Sequence, residues 1–250
     1  MGKANTRSAG GRGVRPALRF VVTAGPTREY IDPVRFLSNP STGKMGFAVA
    51  RAAAARGHAV TLVAGPVALK TPRGVERIDV TSAREMLAAV ESALAAGQSA
   101  RPESASYRGT TVLVAAAAVA DWRPAECAAK KLKKHEMTGV LRLVRNPDIL
   151  REVGRGKREE GRGKREEGRA RLVGFAAETG DAVAEAARKC REKGLEFIVA
   201  NDVTEAGSGF GTDTNRVAFV RRDGRVERLP MMSKAAVARR IVRECEDLCT

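Results

Sequence analysis

Two short stretches of this sequence carry side chains suited to handling negatively charged groups. The first, 38-SNPSTGKMG-46, joins an apolar segment at 17–25 to a helical segment that begins near Lys44. A strand, a loop and a helix in that order usually cradle a phosphate, because the free N–H groups and the dipole of the helix start face an anion. The glycines fit neither familiar cradle. Gly25 lacks the close second and third glycines of G-x-G-x-x-G, and Gly43-Lys44 is followed by Met45, where a P-loop needs Ser or Thr to reach a metal. The second stretch, 130-KKLKK-134, has four basic residues in five, a pattern that by itself is most often a solvated loop. Lys189 and Lys193, four apart on one helix face, equally suit a plain polar stripe.

Little in the chain favours covalent or metal chemistry. His58 and His135 stand far apart, so no Ser-His-Asp set is offered. The four cysteines, Cys127, Cys190, Cys245 and Cys249, contain no C-x-x-C pair, which argues against structural zinc and for reduced thiols.

The elements that must position these residues alternate between strand and helix. ALRFVVTAG (17–25), a helix at 44–56 that Gly57 can cap, and AVTLVAG (59–65) make one parallel β-α-β unit. GVERIDV (74–80) reads as a short strand, and Ser82 with Glu85 makes a capping box for the next helix. TTVLVAAAAVAD (110–121) is a continuous apolar run, as a strand buried on both faces requires, with its carboxyl end at Asp121. LRLVR (141–145), RLVGFAAET (171–179), a helix at 181–193, LEFIVAND (195–202), RVAFVRR (216–222), an Asp223-Gly224 turn and a last helix from Ser233 complete the series. This order predicts an α/β fold: a Rossmann-like open, mainly parallel sheet with helices on both faces and a C-terminal hairpin.

Ligands of such sheets collect beyond the carboxyl ends of the strands. Thr23-Ala24-Gly25, Asp121, Glu178-Thr179 and Asn201-Asp202 all fall at those ends. Each alone suits a loop start or a helix cap; the four together mark a site.

The 250 residues, 43% of them hydrophobic, suffice for one substantial core, expected over 17–250 behind a disordered basic tail at 1–16. No apolar run approaches the roughly 18 residues of a membrane span, and no secretory signal opens the chain, which predicts a cytoplasmic protein. Met1–Thr6 fits a myristoylation pattern and the acid-free tail faintly resembles a transit peptide, but both patterns are short and common. The net charge of +16 invites a nucleic-acid reading. Half of that excess, however, sits in residues 1–15 and in 154-GRGKREEGRGKREEGRAR-171. The latter is a tandem copy of GRGKREE whose glycines argue against a stable helix, so a low-complexity loop insertion is expected at about 154–170. With aromatic residues at only 4%, base-stacking platforms are scarce and nucleic-acid binding is disfavoured. A nicotinamide or flavin oxidoreductase on the same fold would lack its usual glycine turn.

The run AGPTREYIDPVRFLSNPSTGKMG, followed by AAAVADWRP, KKLKK, NPDI, GFAAET and AND, resembles phosphopantothenoylcysteine synthetase of the bacterial, CTP-using type, over about residues 17–248. The resemblance implies a Rossmann-like homodimer that joins 4′-phosphopantothenate to L-cysteine with CTP and Mg²⁺. It also implies a chain without the fused decarboxylase, since only sixteen residues precede the first strand. The substrate's carboxylate would attack the α-phosphate of the nucleotide, and cysteine's amino group would then displace CMP. Such a reaction calls for fixed cations and positioning more than for a covalent nucleophile.

By the same resemblance, Lys131 contacts the triphosphate, and Asn39 closes over the acyl-cytidylate with Ser41 and Gly43 on the substrate side. Nucleotide contacts are implied for Ala115, Ala116, Ala117, Asp121, Asn146, Pro147, Asp148, Ile149, Phe175, Lys189 and Lys193. Asp121 is alternatively a Mg²⁺ ligand. Arg35 is either a partner for the substrate's phosphate or a structural ion-pair residue. Thr42 and Tyr30 occupy positions where the family often has serine and proline, and neither change removes a group the mechanism needs. The duplicated GRGKREE has no assigned role.

Overall fold

The computed structural model describes residues 17–99, 107–136, 139–160 and 170–249. Alternation in the first strand, β1 (Ala17–Ala24), fixes two faces. Leu18, Phe20, Val22 and Ala24 point into one core, while Val21 points into another. A small antiparallel hairpin, β2 (Arg28–Tyr30) and β3 (Phe36–Ser38), follows and leads to α1 (Lys44–Ala54). After β4 (Ala59–Ala64), β5 (Glu76–Asp79) and α2 (Ala83–Ser99) comes β6 (Tyr107–Ala115). A second antiparallel pair, β7 (Trp122–Pro124) and β8 (Leu143–Arg145), precedes α3 (Ile149–Glu160) and β9 (Arg171–Glu178). The chain closes with α4 (Ala182–Lys193), β10 (Phe197–Asp202), β11 (Thr214–Asn215), β12 (Ala218–Arg221), β13 (Val226–Arg228), β14 (Met232–Ser233) and α5 (Lys234–Asp247).

The main sheet has eight strands in the order β13-β12-β10-β9-β6-β1-β4-β5. The six from β10 to β5 are parallel, and β12 and β13 form the antiparallel C-terminal hairpin. Helices cover both faces: α1 and α5 pack through Phe47, Ala50, Val237 and Ile241, and α2 and α4 pack through Met86, Val90, Ala186 and Cys190. After β1 the chain builds outward on one side, and from β6 it builds on the other. The order therefore reverses between β1 and β6, which is where a doubly wound sheet opens a crevice at its carboxyl edge.

Three expectations are corrected. The apolar run at 110–121 is not strand to Asp121; β6 stops at Ala115. Alanine has little preference for a pleated strand, and β1's exit supplies better partners: Ala117 N–H donates to Thr23 Oγ1, Ala118 N–H to the Gly25 carbonyl and Ala120 N–H to Thr27 Oγ1. LRLVR lies outside the main sheet, paired with β7. The first GRGKREE copy is helical, because α3 runs through 154–160. Asp148 Oδ1 accepts from Arg151 N–H at the helix start, and Ile149, Leu150 and Val153 anchor it in the core. A nucleated helix then propagates through Arg, Lys and Glu despite its glycines. The second copy, at 161–167, and the tail at 1–16 lie outside the described residues. Among the described residues no helix is long and apolar enough to cross a membrane.

The amino edge of the sheet is tied to α5 by a buried polar cluster. Glu246, 5% exposed, accepts from Arg56 at 2.6 and 2.7 Å and lies 2.9 Å from His58 Nε2. His58 Nδ1 accepts from Leu18 N–H, which fixes Nε2 as the protonated nitrogen. Burial raises the Glu246 carboxyl, but the bonds from Arg56 and His58 outweigh it, so it titrates below its ordinary value. The stability it contributes is therefore present above the ordinary carboxylate range and is lost as pH falls through the depressed value. Removing this carboxylate leaves the buried His58 Nε2–H without its acceptor, while the exposed Arg56 guanidinium returns to water. Glu246→Ala is expected to lower unfolding free energy by about 2 kcal/mol, read by urea denaturation near neutral pH, with the gap to the native chain closing under acid conditions.

Candidate active site

A cleft of about 350 Å³ opens at the switch point between β1 and β6. One wall is the loop 39–45 at the start of α1, the floor is 116–119 after β6, and the facing wall comes from β9, β10 and the segment 203–215 with Lys234. Two glycines make the first wall feasible. Gly43 takes the left-handed conformation (φ 76°) at the start of α1, where no side chain caps the helix and its first turn holds no acid. A Cβ on Gly46 would stand 2.6 Å from Ala24 Cβ and 2.8 Å from the Thr23 carbonyl oxygen, so only glycine lets α1 begin against the exit of β1. The first turn, with no side chain capping its N–H groups, lines the cleft through Lys44 and Met45.

Asn39 bridges wall and floor. Its Nδ2 donates to the Ala118 and Val119 carbonyls, each at 3.2 Å, which aims the amide along the floor. Ser41 Oγ accepts from Gly43 N–H and shapes the turn that follows. Of the residues implied by resemblance, Asn39, Ser41, Gly43, Ala116, Ala117 and Phe175 line this one cleft.

The others are placed elsewhere. Asp121, Asn146, Pro147 and Asp148 line a neighbouring hollow of about 400 Å³ that also holds Arg145, Arg151 and Arg155. The loop 116–121 connects the two cavities, since Asn146 donates from its side chain to the Ala120 carbonyl and from its backbone to the Asp121 carbonyl. Ala115 is inside β6, paired with Thr23 and Gly174. Ile149 is 6% exposed with its side chain in the core, so a ligand would meet only its backbone. Lys189 and Lys193 sit opposite carboxylates, 2.6 Å from Glu178 and 2.7 Å from Asp148. Burial works to lower the Lys189 ammonium, but Glu178 and Glu185 outweigh it and its pKa is raised.

Arg35 is engaged as an ion-pair residue. Asp32, fully buried, accepts from Val34 and Arg35 N–H, from the Arg35 guanidinium and from Leu132 N–H. The guanidinium leads in holding the Asp32 carboxyl far below the carboxylate range; burial opposes it and the backbone bonds assist. Arg35 also donates to the Leu132 carbonyl at 2.8 Å. The lysine loop is therefore pinned to the tip of the β2–β3 hairpin, while Asn39 follows its base. The ladder between them spans about 10 Å, and Lys131 is exposed outside the cleft.

Phe175 and Asn201 of the facing wall were expected from the sequence; the segment 203–215 and the two lysines bonded to it were not. Lys44 donates to the Gly211 carbonyl and to Asp213, each at 2.8 Å. Lys234 is 7% exposed and donates to the Gly209 carbonyl at 2.9 Å. Burial first, then the charge of Lys44, lowers the pKa of Lys234, with Asp213 opposing. A signal was present: Lys234 directly follows the N-cap Ser233, where the helix dipole disfavours a cation.

As for Mg²⁺, no group of three or more His, Cys, Asp or Glu side chains able to hold a metal occurs among the described residues. The exposed Asp121 is a single carboxylate, which suits an ion carried mainly by substrate phosphates.

Residues 17–248 match the family described as DFP, the DNA/pantothenate metabolism flavoprotein C-terminal domain. The coenzyme A biosynthesis bifunctional protein CoaBC of Bacillus subtilis is 44% identical over 225 residues, 90% of this chain and 50% of that protein. The protein of the same name from Vibrio cholerae is 43% identical over 222 residues, 88% of this chain and 50% of its own length. The chain thus spans about half the length of the curated relatives it matches. A crystal structure of the C-terminal domain of CoaBC aligns with TM-score 0.71 and 37% identity, covering 94% of this chain and 97% of that one. With the whole sheet and its cleft inside the matched region, this chain belongs to the DNA/pantothenate metabolism flavoprotein C-terminal domain family.

Proposed function

We propose that this chain is a ligase of coenzyme A biosynthesis that joins 4′-phosphopantothenate to L-cysteine through an acyl-cytidylate, releasing pyrophosphate and CMP. The observation that carries the reading is the Asn39 amide bonded across the floor of the cleft at the switch point, within a chain that aligns along its length with the C-terminal domain of CoaBC.

In this reading the carboxylate of phosphopantothenate and the α-phosphate of CTP meet in the cleft between the start of α1 and the 116–119 floor. The backbone N–H groups of the α1 first turn stabilise the charge gathered there. Asn39 holds the mixed anhydride in place for the incoming amine, and the small Ala116 and Ala117 allow close approach. Phe175 offers an apolar face. Mg²⁺, when bound with the triphosphate, supplies charge neutralisation at the phosphates, and Asp121 is the candidate carboxylate toward it. Asn146-Pro147-Asp148-Ile149, Lys189 and Lys193 contribute the remaining nucleotide contacts, with Asp148 and Glu178 holding the two lysines in place.

Lys131 acts at the phosphates in a substrate-closed or dimeric state, its loop carried on the Asp32–Arg35 anchor. The homodimer has a candidate face. Val34, Phe36, Trp122, Val140, Leu141 and Leu143 are all exposed, and they cluster in sequence at the two small hairpins. An apolar set of this kind favours contact with another protein surface. The ligase works in the cytoplasm as a single domain over 17–250.

The reading predicts pyrophosphate release with CTP and phosphopantothenate before cysteine is added, and much less with ATP; release requiring cysteine, or none with any nucleotide, would sink it. Asn39→Asp is expected to slow the step after anhydride formation by about 10²-fold, and Lys131→Gln to slow anhydride formation to a similar degree, both resolved by single-turnover kinetics. Phe36→Glu with Leu143→Glu should turn dimers into monomers by light scattering.

A further inference from the structure

The wall of the cleft opposite Asn39 presents a cation that neither the fold nor the reading above employs. Lys234 begins α5 and is nine-tenths buried, yet its ammonium has only a neutral carbonyl partner, that of Gly209, among the described residues. Three features of its surroundings disfavour a positive charge. It is removed from water, it occupies the first turn of α5 next to the positive end of the helix dipole, and the Lys44 ammonium adds repulsion. Asp213 compensates only partly, because it is exposed and already bonded to Lys44. A buried charge is retained at such a position when something of opposite sign completes it.

The cavity itself says where that group comes from. Lys234 and Lys44 both line the cleft, together with Gly209 and the uncapped start of α1. The loop that holds Lys234 is itself fixed: Asn215 Oδ1 accepts from Ser208 Oγ at 2.5 Å and from Gly209 N–H, while Lys44 ties down Gly211. The ammonium is thus held in place before any ligand arrives, as a recognition element should be.

We propose that Lys234 is the fixed cation of an anion subsite on this wall, taking a carboxylate or phosphate oxygen of a substrate bound in the cleft. The names of the substrates rest on the proposed function; the existence of the subsite does not. The sources of that chemistry are the α-carboxylate of the acceptor amino acid, a phosphate of the nucleotide, and the phosphate or carboxylate of the acid.

The test uses Lys234→Gln, which removes the charge and keeps a donor for the Gly209 carbonyl, and Lys234→Met, which keeps the aliphatic stem, so that a folding defect in one leaves the other informative. Melting curves confirm the fold, and KM is measured for L-cysteine, phosphopantothenate and CTP in turn. We expect KM for one substrate to rise at least about tenfold, with the others near their native values. A rise for cysteine, lost when cysteamine is the acceptor, assigns the acceptor's carboxylate; a rise for CTP assigns a nucleotide phosphate, and a rise for phosphopantothenate assigns an anionic group of the acid, its phosphate when unphosphorylated pantothenate binds the native chain and the variant equally. Unchanged KM values for all three in a folded variant overturn the proposal, as does a fall in kcat alone. If the native chain shows no ligase activity, equilibrium dialysis with pyrophosphate and with L-cysteine still decides. Weaker binding in the variants supports the subsite, and equal binding overturns it.

Discussion

The cleft depends on how the backbone groups leaving β6 are satisfied. A chain that passes over the carboxyl edge of a sheet exposes N–H and C=O groups that the ladder no longer pairs, and buried orphans are costly. Here the exit of β1 supplies the acceptors: Thr23, Gly25 and Thr27 take the N–H groups of Ala117, Ala118 and Ala120. Asn39 returns the favour in the opposite sense by donating to the carbonyls of Ala118 and Val119. Two loops from neighbouring strands thus satisfy one another, and together they make one wall and the floor of the cleft.

Charge follows the same division. The floor is neutral and made of small residues; the two lysines that line the cleft, Lys44 and Lys234, stand on its opposite walls, and the 130–134 loop forms a second flank beyond the β2–β3 hairpin. The buried Asp32 fixes the second flank. Its carboxylate bonds both the hairpin turn and Leu132, so one buried acid ties the lysine loop to the hairpin at Leu132. Lys44 and Lys234, bonded to the carbonyls of Gly211 and Gly209, are fixed cations, and fixed cations suit chemistry in which charge accumulates at phosphorus.

Much of this was legible in the residues. The parallel sheet, its C-terminal hairpin and the Ser82–Glu85 capping box follow from alternation and capping chemistry, and in the structure Glu85 N–H donates to Ser82 Oγ at 3.2 Å. The cleft wall at 39–43 and the floor at 116–117 were legible through family motifs. The end of β6 was not, because an alanine run reads as buried strand while threonines nearly a hundred residues away decide otherwise. The helicity of the first GRGKREE copy was hidden for a related reason: helix nucleation at Asp148 lies upstream of the glycines that suggested a loop. Lys234 had one sequence signal, a cation directly after the N-cap Ser233, but only its burial separates it from an ordinary helix lysine.

The claim at the centre is that the switch-point cleft is where the acid is activated. A crystal structure with a non-hydrolysable CTP analogue and phosphopantothenate tests it most directly. The account predicts the carboxylate and the α-phosphate together between Asn39 and the start of α1, with the base and triphosphate extending toward the hollow at 145–155. Both ligands lying wholly in that hollow, with nothing against Asn39, would contradict it.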